Sequence, residues 1–250
     1  MNHITLTGNL GSGKSTICKI LESQYGYEIY STGKVQRSLA TQLGISVLEM
    51  NQKMCEDSKY DKMIDDATAK ISKENPEKKI VFDSRLAWNF VEHSFKVFLS
   101  VSLEVAAQRV FHDNRGAVEK YSCIEETIEQ LKLRAQTEDI RYKEIYGIDY
   151  FNFKNYDLIL DSTWCKPEWL AQILESEACK PKSDQTKLFI SPKRILEKRD
   201  FPLENNPKVY IPDEVVELKA EKGEFTLLKG NSFVERAAKE GYSLISANLV

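Results

Sequence analysis

The chain reads as an α/β protein: a parallel sheet built around a phosphate loop and flanked by helices, with a small α+β unit at its C-terminal end. Three observations predict this. Short apolar runs alternate with segments of helical periodicity through most of the sequence, the pattern of strands buried between two helical layers. A glycine-rich stretch, Gly8-Asn9-Leu10-Gly11-Ser12-Gly13-Lys14-Ser15-Thr16, joins the first strand to the first helix. The composition then turns polar at Lys180-Pro181-Lys182-Ser183-Asp184-Gln185, a linker signal that divides the chain into 1–180 and 181–250.

The elements follow in order. Ile4-Thr5-Leu6-Thr7 is the first strand, and Ile17, Ile20 and Leu21 line one face of the helix after the glycine loop. Tyr27–Tyr30 is a second strand, ended by Ser31-Thr32-Gly33, and a mostly helical stretch runs from Lys34 to Glu74. A polar turn, Lys73–Lys79, leads into a third strand, Ile80–Phe82, and a short helix over Leu86–Val91. Lys96–Val101 is the fourth strand, followed by a helix over Leu103–Arg109 and a long charged helix over Ile124–Ile145. Tyr156–Asp161 is the last strand of this unit, and Trp169–Glu177 its closing helix. In such sheets ligands lie at the carboxyl ends of the strands, where the glycine loop stands.

The bulk numbers bound the function. With 250 residues, 42% of them hydrophobic and including 11 Phe and 11 Tyr, the chain has ample material for a core. A formal charge of −3 gives no general attraction to nucleic acid or a membrane surface, so neither is expected as a partner. Five cysteines (Cys18, Cys55, Cys123, Cys165 and Cys179) are spread without a C-x-x-C pair, which reads as reduced thiols in a cytoplasmic protein. The sequence opens directly into the first strand, with no cationic leader and no run of membrane-spanning length.

The glycine loop has the G-x-x-x-x-G-K-[ST] pattern between a strand and a helix, the context that the pattern requires. Gly8, Gly11 and Gly13 let the backbone wrap a phosphate group, and Ser12 and Thr16 complete the loop. The helix N-terminus adds its partial positive charge at the same place. Lys14 would reach the β- and γ-phosphates of a nucleoside triphosphate, and the Ser15 hydroxyl would ligate Mg²⁺. Asp83, at the end of a strand set two sheet strands from the loop, suits a Mg²⁺-organising carboxylate better than a simple helix cap. Arginine supplies planar donor pairs for phosphate. Arg37, Arg85, Arg115, Arg134 and Arg141 all fall where a phosphoryl-transfer site would use them, the last two being seven apart and so on one helix face. Arg109 reads instead as a solvated helix arginine, or as one that could stack on adenine.

The glycine loop, Ser31-Thr32-Gly33 with Arg37, Asp83-Ser84-Arg85, the Arg134/Arg141 pair and Asp161-Ser162-Thr163 together resemble a cytidylate kinase. Arg141-Tyr142-Lys143-Glu144-Ile145-Tyr146-Gly147-Ile148-Asp149 resembles the shorter, archaeal-type branch of that family. The resemblance covers roughly residues 1–175 and implies a nucleoside monophosphate kinase fold, with ATP on the loop and Mg²⁺ at Ser15. It implies that Thr32, Arg37 and Arg85 hold an acceptor monophosphate, with CMP or dCMP foremost, while Arg115, Arg134 and Arg141 close on the transferring group. Ser84 stands where the family usually has glycine and is expected to crowd the acceptor.

Residues 188–250 contain Leu188–Pro192, Ile211-Pro212, Gly223–Gly230, a helix from Asn231 through Gly241 and a final strand. Their order resembles, in a degenerate form, a ParB/sulfiredoxin-like segment, with Phe233 near the place of that fold's arginine. Two alternatives stay open from sequence: a P-loop kinase of another small molecule, and a non-catalytic ATP-binding regulatory module acting through the C-terminal segment.

Overall fold

Strand β1, His3–Gly8, is buried at every position, as a strand must be when helices cover both faces of its sheet. Its neighbours are parallel: β3 (Ile80–Asp83) on one side and β4 (Ser94–Ser100) on the other. Strand β2 (Glu28–Ser31) lies outside β3, and β5 (Leu158–Asp161) outside β4. The computed structural model describes residues 2–45, 49–50, 53–54, 57, 59–113, 121–196, 209–210 and 215–250, without the side chains of Arg37, Val209 and Tyr210.

The sheet does not stop at β5. Strand β6 (Lys187–Ile190) pairs parallel with β5, and β10 (Leu244–Leu249) pairs antiparallel with β6. Beyond β10 come β8 (Glu217–Glu221) and β9 (Glu224–Lys229), a hairpin, while the short β7 (Val209–Tyr210) also pairs with β10. The full order is β2-β3-β1-β4-β5-β6-β10-β8-β9. The chain after residue 181 thus extends the same sheet at its β5 side.

Helices α1 (Lys14–Tyr25), α2 (Thr32–Gln42), α3 (Lys59–Glu74), α4 (Ala87–Phe90), α5 (Leu103–His112), α6 (Ile124–Tyr146), α7 (Pro167–Ala178), α8 (Pro192–Ile195) and α9 (Asn231–Lys239) surround it. Local chemistry marks their ends: the Ser102 hydroxyl caps α5 by accepting from Val105 N, α7 has proline in its first turn, and α6 ends at Gly147 in the left-handed region.

Period-two alternation sorts the strand side chains into two cores. Ile4, Leu6, Val97, Leu99, Leu158 and Leu160 meet α1 and α7 on one face. Phe98, Ile159, Leu188 and Ile190 turn to the other, where they join Val216, Leu218, Phe233, Val234 and Ile245 from the C-terminal part. This second core runs across the composition break near residue 181. No helix among the described residues is long and apolar enough to cross a membrane.

Candidate active site

The strand registers bring Gly8, Ser31 and Asp83 to one edge: Ser31 and Leu6 both pair with Asp83, and Gly8 pairs with Leu99. Asp83 therefore ends the strand next to β1, one strand nearer to the loop than the sequence pattern suggested. Its Oδ2 accepts from the Ser31 hydroxyl at 3.3 Å, and its carbonyl from the Thr32 hydroxyl at 3.4 Å.

The glycine loop has the backbone that its glycines permit. A Cβ on Gly8 would stand 2.2 Å from Leu99 O, and one on Gly11 would stand 2.7 Å from Ala106 O, with φ of +75°. Gly13, at φ 87°, opens α1, and the space beside it is clear to 4 Å. The buried Ser12 donates its hydroxyl to Asn9 O at 2.7 Å, while Ser15 and Thr16 are exposed on the first turn of α1. A loop of this shape, opening onto the N-terminus of α1, fits a polyphosphate. Ser15 and Asp83 carry oxygen atoms of the kind that Mg²⁺ takes as ligands, alongside phosphate oxygens and water.

Three donors converge on the Gly8 carbonyl. Lys14 Nζ donates at 2.8 Å and the Tyr150 hydroxyl at 3.2 Å, and Arg85 Nη1 donates to the same oxygen. Lys14 also donates to Asn9 O at 3.2 Å. Burial, reinforced by the like charge of Arg85, pushes the Lys14 ammonium down to about 7. Arg85 is held in turn by Glu138 of α6, Nε to Oε2 at 3.1 Å, and Glu138 Oε1 pairs with Arg134 Nε at 3.2 Å. Burial alone would raise the Glu138 carboxyl. Arg85 and then Arg134 outweigh it and hold that group below the usual carboxylate range.

Of the residues expected at the site, Lys14, Arg85 and Arg134 are thus drawn together by Gly8 and Glu138. Arg141 faces α3, with Nη2 at 3.4 Å from Asp61 Oδ1. There Tyr146 donates to Asp65, whose carboxyl burial pushes up to about 6 against the opposing effect of that hydrogen bond. Arg115 and the Arg37 side chain lie outside the described residues. Among the cysteines, Cys18, Cys123, Cys165 and Cys179 are free thiols, and Cys55 lies outside the described residues.

Ser84 is buried, and its hydroxyl accepts from Leu86 N at 3.3 Å. One expectation is corrected. Arg109 is not a solvated helix arginine. Its guanidinium donates to Gly11 O at 3.2 Å, Ser162 Oγ at 3.3 Å and Ser162 O at 2.7 Å, fastening the glycine loop to the end of β5. Sequence reasoning passed over Glu138 and Tyr150. Glu138 had a signal, its i,i+4 spacing from Arg134. Tyr150 had none.

A glycine cradle at a helix N-terminus, with a lysine and an arginine converging on it at the carboxyl edge of a parallel sheet, defines a kinase-type phosphotransferase. The chain belongs to the cytidylate kinase-like family, which it matches over residues 3–164. The cytidylate kinase of Natronomonas pharaonis is 34% identical over 175 residues, which are 69% of this chain and 87% of that protein. That of Methanobrevibacter smithii is 30% identical over 171 residues, 68% of this chain and 95% of its own. The S-adenosylmethionine-dependent nucleotide dehydratase of Lacinutrix mariniflava is 33% identical over 162 residues, 64% of this chain but 32% of that longer protein. A solved structure of an uncharacterized protein from Eubacterium ventriosum shares the fold alone, with a TM-score of 0.52 at 10% identity over 72% of this chain and 100% of that one.

Proposed function

We propose that this chain transfers the terminal phosphoryl group of ATP to a nucleoside monophosphate, with CMP or dCMP as the acceptor. One observation carries the reading: Arg85, from the end of the strand beside β1, stands against the P-loop carbonyl that also holds Lys14. Phosphoryl transfer needs cations on the moving group and an in-line arrangement more than it needs covalent chemistry. Lys14 moves from Gly8 O and Asn9 O onto phosphate oxygens. Arg85 and Arg37 orient the acceptor phosphate, with Thr32 at the start of α2 beside Asp83. Arg134 and Arg141, with Arg115, neutralise charge from the α6 side. Ser15 and Asp83 are the residues that would hold Mg²⁺, which would supply positive charge to offset the charge of the phosphates. The curated relatives, cytidylate kinases of two archaea, support a nucleotide acceptor.

The test is an ATP-consumption assay across CMP, dCMP, UMP, AMP and GMP, with a no-acceptor control. Turnover led by CMP or dCMP, and lost in Lys14→Ala, is the expected result. Binding of ATP with no turnover of any monophosphate would overturn the choice of acceptor.

A further inference from the structure

Residues after 164 lie outside the family match, yet the C-terminal part reaches the glycine loop. Arg194 of α8 is the strut. Its side chain is 6% exposed and pairs at 2.9 Å with Asp161, which is fully buried. The same Nη1 donates to Ser100 Oγ at 2.9 Å, Nη2 donates to Gly223 O at 3.1 Å, and the guanidinium lies 5.0 Å from the centre of the Phe225 ring. One side chain therefore ties the ends of β4 and β5 to the turn between β8 and β9. Asp161 holds its place through Thr163 N at 3.1 Å and Ser191 N at 3.0 Å.

The turn is tight, with Lys222 at φ 50° and Gly223 at φ 90°, as a two-residue hairpin loop requires. Gly223 faces the glycine loop: a Cβ there would stand 3.3 Å from the Phe151 ring and 3.9 Å from Asn9 Nδ2. Phe225 stacks on Phe153, ring centres 5.6 Å apart, and Tyr150, next to Phe151, donates to Gly8 O. Asn9 has two ends. Its side-chain nitrogen is what a Cβ on Gly223 would approach to 3.9 Å, and its Oδ1 is buried with no hydrogen-bond partner among the described residues. Its carbonyl accepts from Lys14 Nζ, Ser12 N and Ser12 Oγ, so a shift of Asn9 moves one of the two carbonyls that hold the lysine.

We infer that the C-terminal hairpin is coupled to the phosphate loop: the β8–β9 turn, braced by Arg194 and set beside Asn9 and Phe151, positions the loop for the nucleotide. Arg194 and Gly223 are positioning residues. The inference rests on the reading of the loop as a nucleotide site. Coupling between two places is reciprocal, so if hairpin docking favours nucleotide binding, nucleotide binding tightens the hairpin to the same extent.

The experiment pairs calorimetry with amide hydrogen exchange over residues 217–229, with and without Mg²⁺ and a β,γ-imido analogue of ATP. The expected results are slower hairpin exchange when the analogue is bound and an affinity loss of about tenfold in Gly223→Ala, within the usual range of coupling. The control is Gly26→Ala, at a φ of 73° with no neighbour within 4 Å, which carries a similar backbone strain away from the loop. It should bind the analogue as the parent chain does. Hairpin exchange unchanged at saturating analogue, or equal affinity losses in the two variants, would overturn the coupling and leave the hairpin a scaffold. No heat of binding in the parent chain would overturn the nucleotide reading itself, and the coupling with it.

Discussion

Replacing Glu138 by Gln should tighten phosphate binding while lowering stability, two effects of opposite sign from one substitution. Glu138 lies 3.1 Å from Arg85 and 3.2 Å from Arg134, with a side chain 18% exposed. A phosphate bridging the same two guanidinium groups would stand roughly 6 Å from that carboxylate. At an effective dielectric constant of about 20, the repulsion between two unit charges at that separation is about 3 kcal/mol. Arg134 is 48% exposed, so solvent screening removes about half of this. What remains is about 1.4 kcal/mol, or roughly tenfold in affinity. The neutral amide keeps one acceptor oxygen but leaves two cations without a counter-charge, at a stability cost of about 1–3 kcal/mol. For a chain of this size that is a fall of about 2–4 °C in Tm per kcal/mol. Inorganic phosphate is the probe, by calorimetry and by inhibition of turnover, with Tm measured alongside. Phosphate that binds more weakly to the folded variant would show that Glu138 orients Arg85 for phosphate and does not compete with it.

Lys14 gives a pH prediction. Its folded value is about 7 against an ordinary 10.5, so the unfolded chain holds the proton more tightly between those limits. Its destabilising effect is complete below pH 7 and is relieved as the pH rises toward 10. Phosphate contact reverses the shift, so nucleotide binding at pH 8 should take up close to one proton, read by calorimetry in two buffers of different ionisation enthalpy. Equal heats in both buffers would mean that Lys14 is already charged before binding. Gly11→Ala and Gly13→Ala separate crowding from backbone strain. The first drives a Cβ to 2.7 Å from Ala106 O, and the second meets nothing within 4 Å. Gly11→Ala should lose about 1–3 kcal/mol more than Gly13→Ala in urea unfolding; equal losses would mean that α5 yields at no cost.

The amino-acid sequence by itself determined what depends on near neighbours. Gly8, Gly11 and Gly13, with Lys14 and Ser15 in register, specify the phosphate loop because its shape is set by backbone freedom at a few successive positions. The ends of α6, expected at Ile124 and Ile145, fall at Ile124 and Tyr146, where the folded chain shows Cys123 accepting from Glu126 N and Gly147 in the left-handed region. The Arg134–Glu138 pair lay open in its i,i+4 spacing. Other features required the tertiary structure. The place of β3 beside β1 follows from sheet order, and no local pattern specifies that order. The burial of Ser84 and the bonds of Arg109 to Gly11 and Ser162 depend on what packs above them. The composition break near residue 181 is real, but β6 and β10 continue the sheet beyond it because the β5 edge offers hydrogen bonds and an apolar face that a polar linker does not report. Arg85 meets Glu138, and Arg194 meets Asp161 and Gly223, only after the chain has folded. Periodicity and spacing act over one or two turns, whereas these contacts join residues that sheet order and helix docking bring from distant parts of the chain.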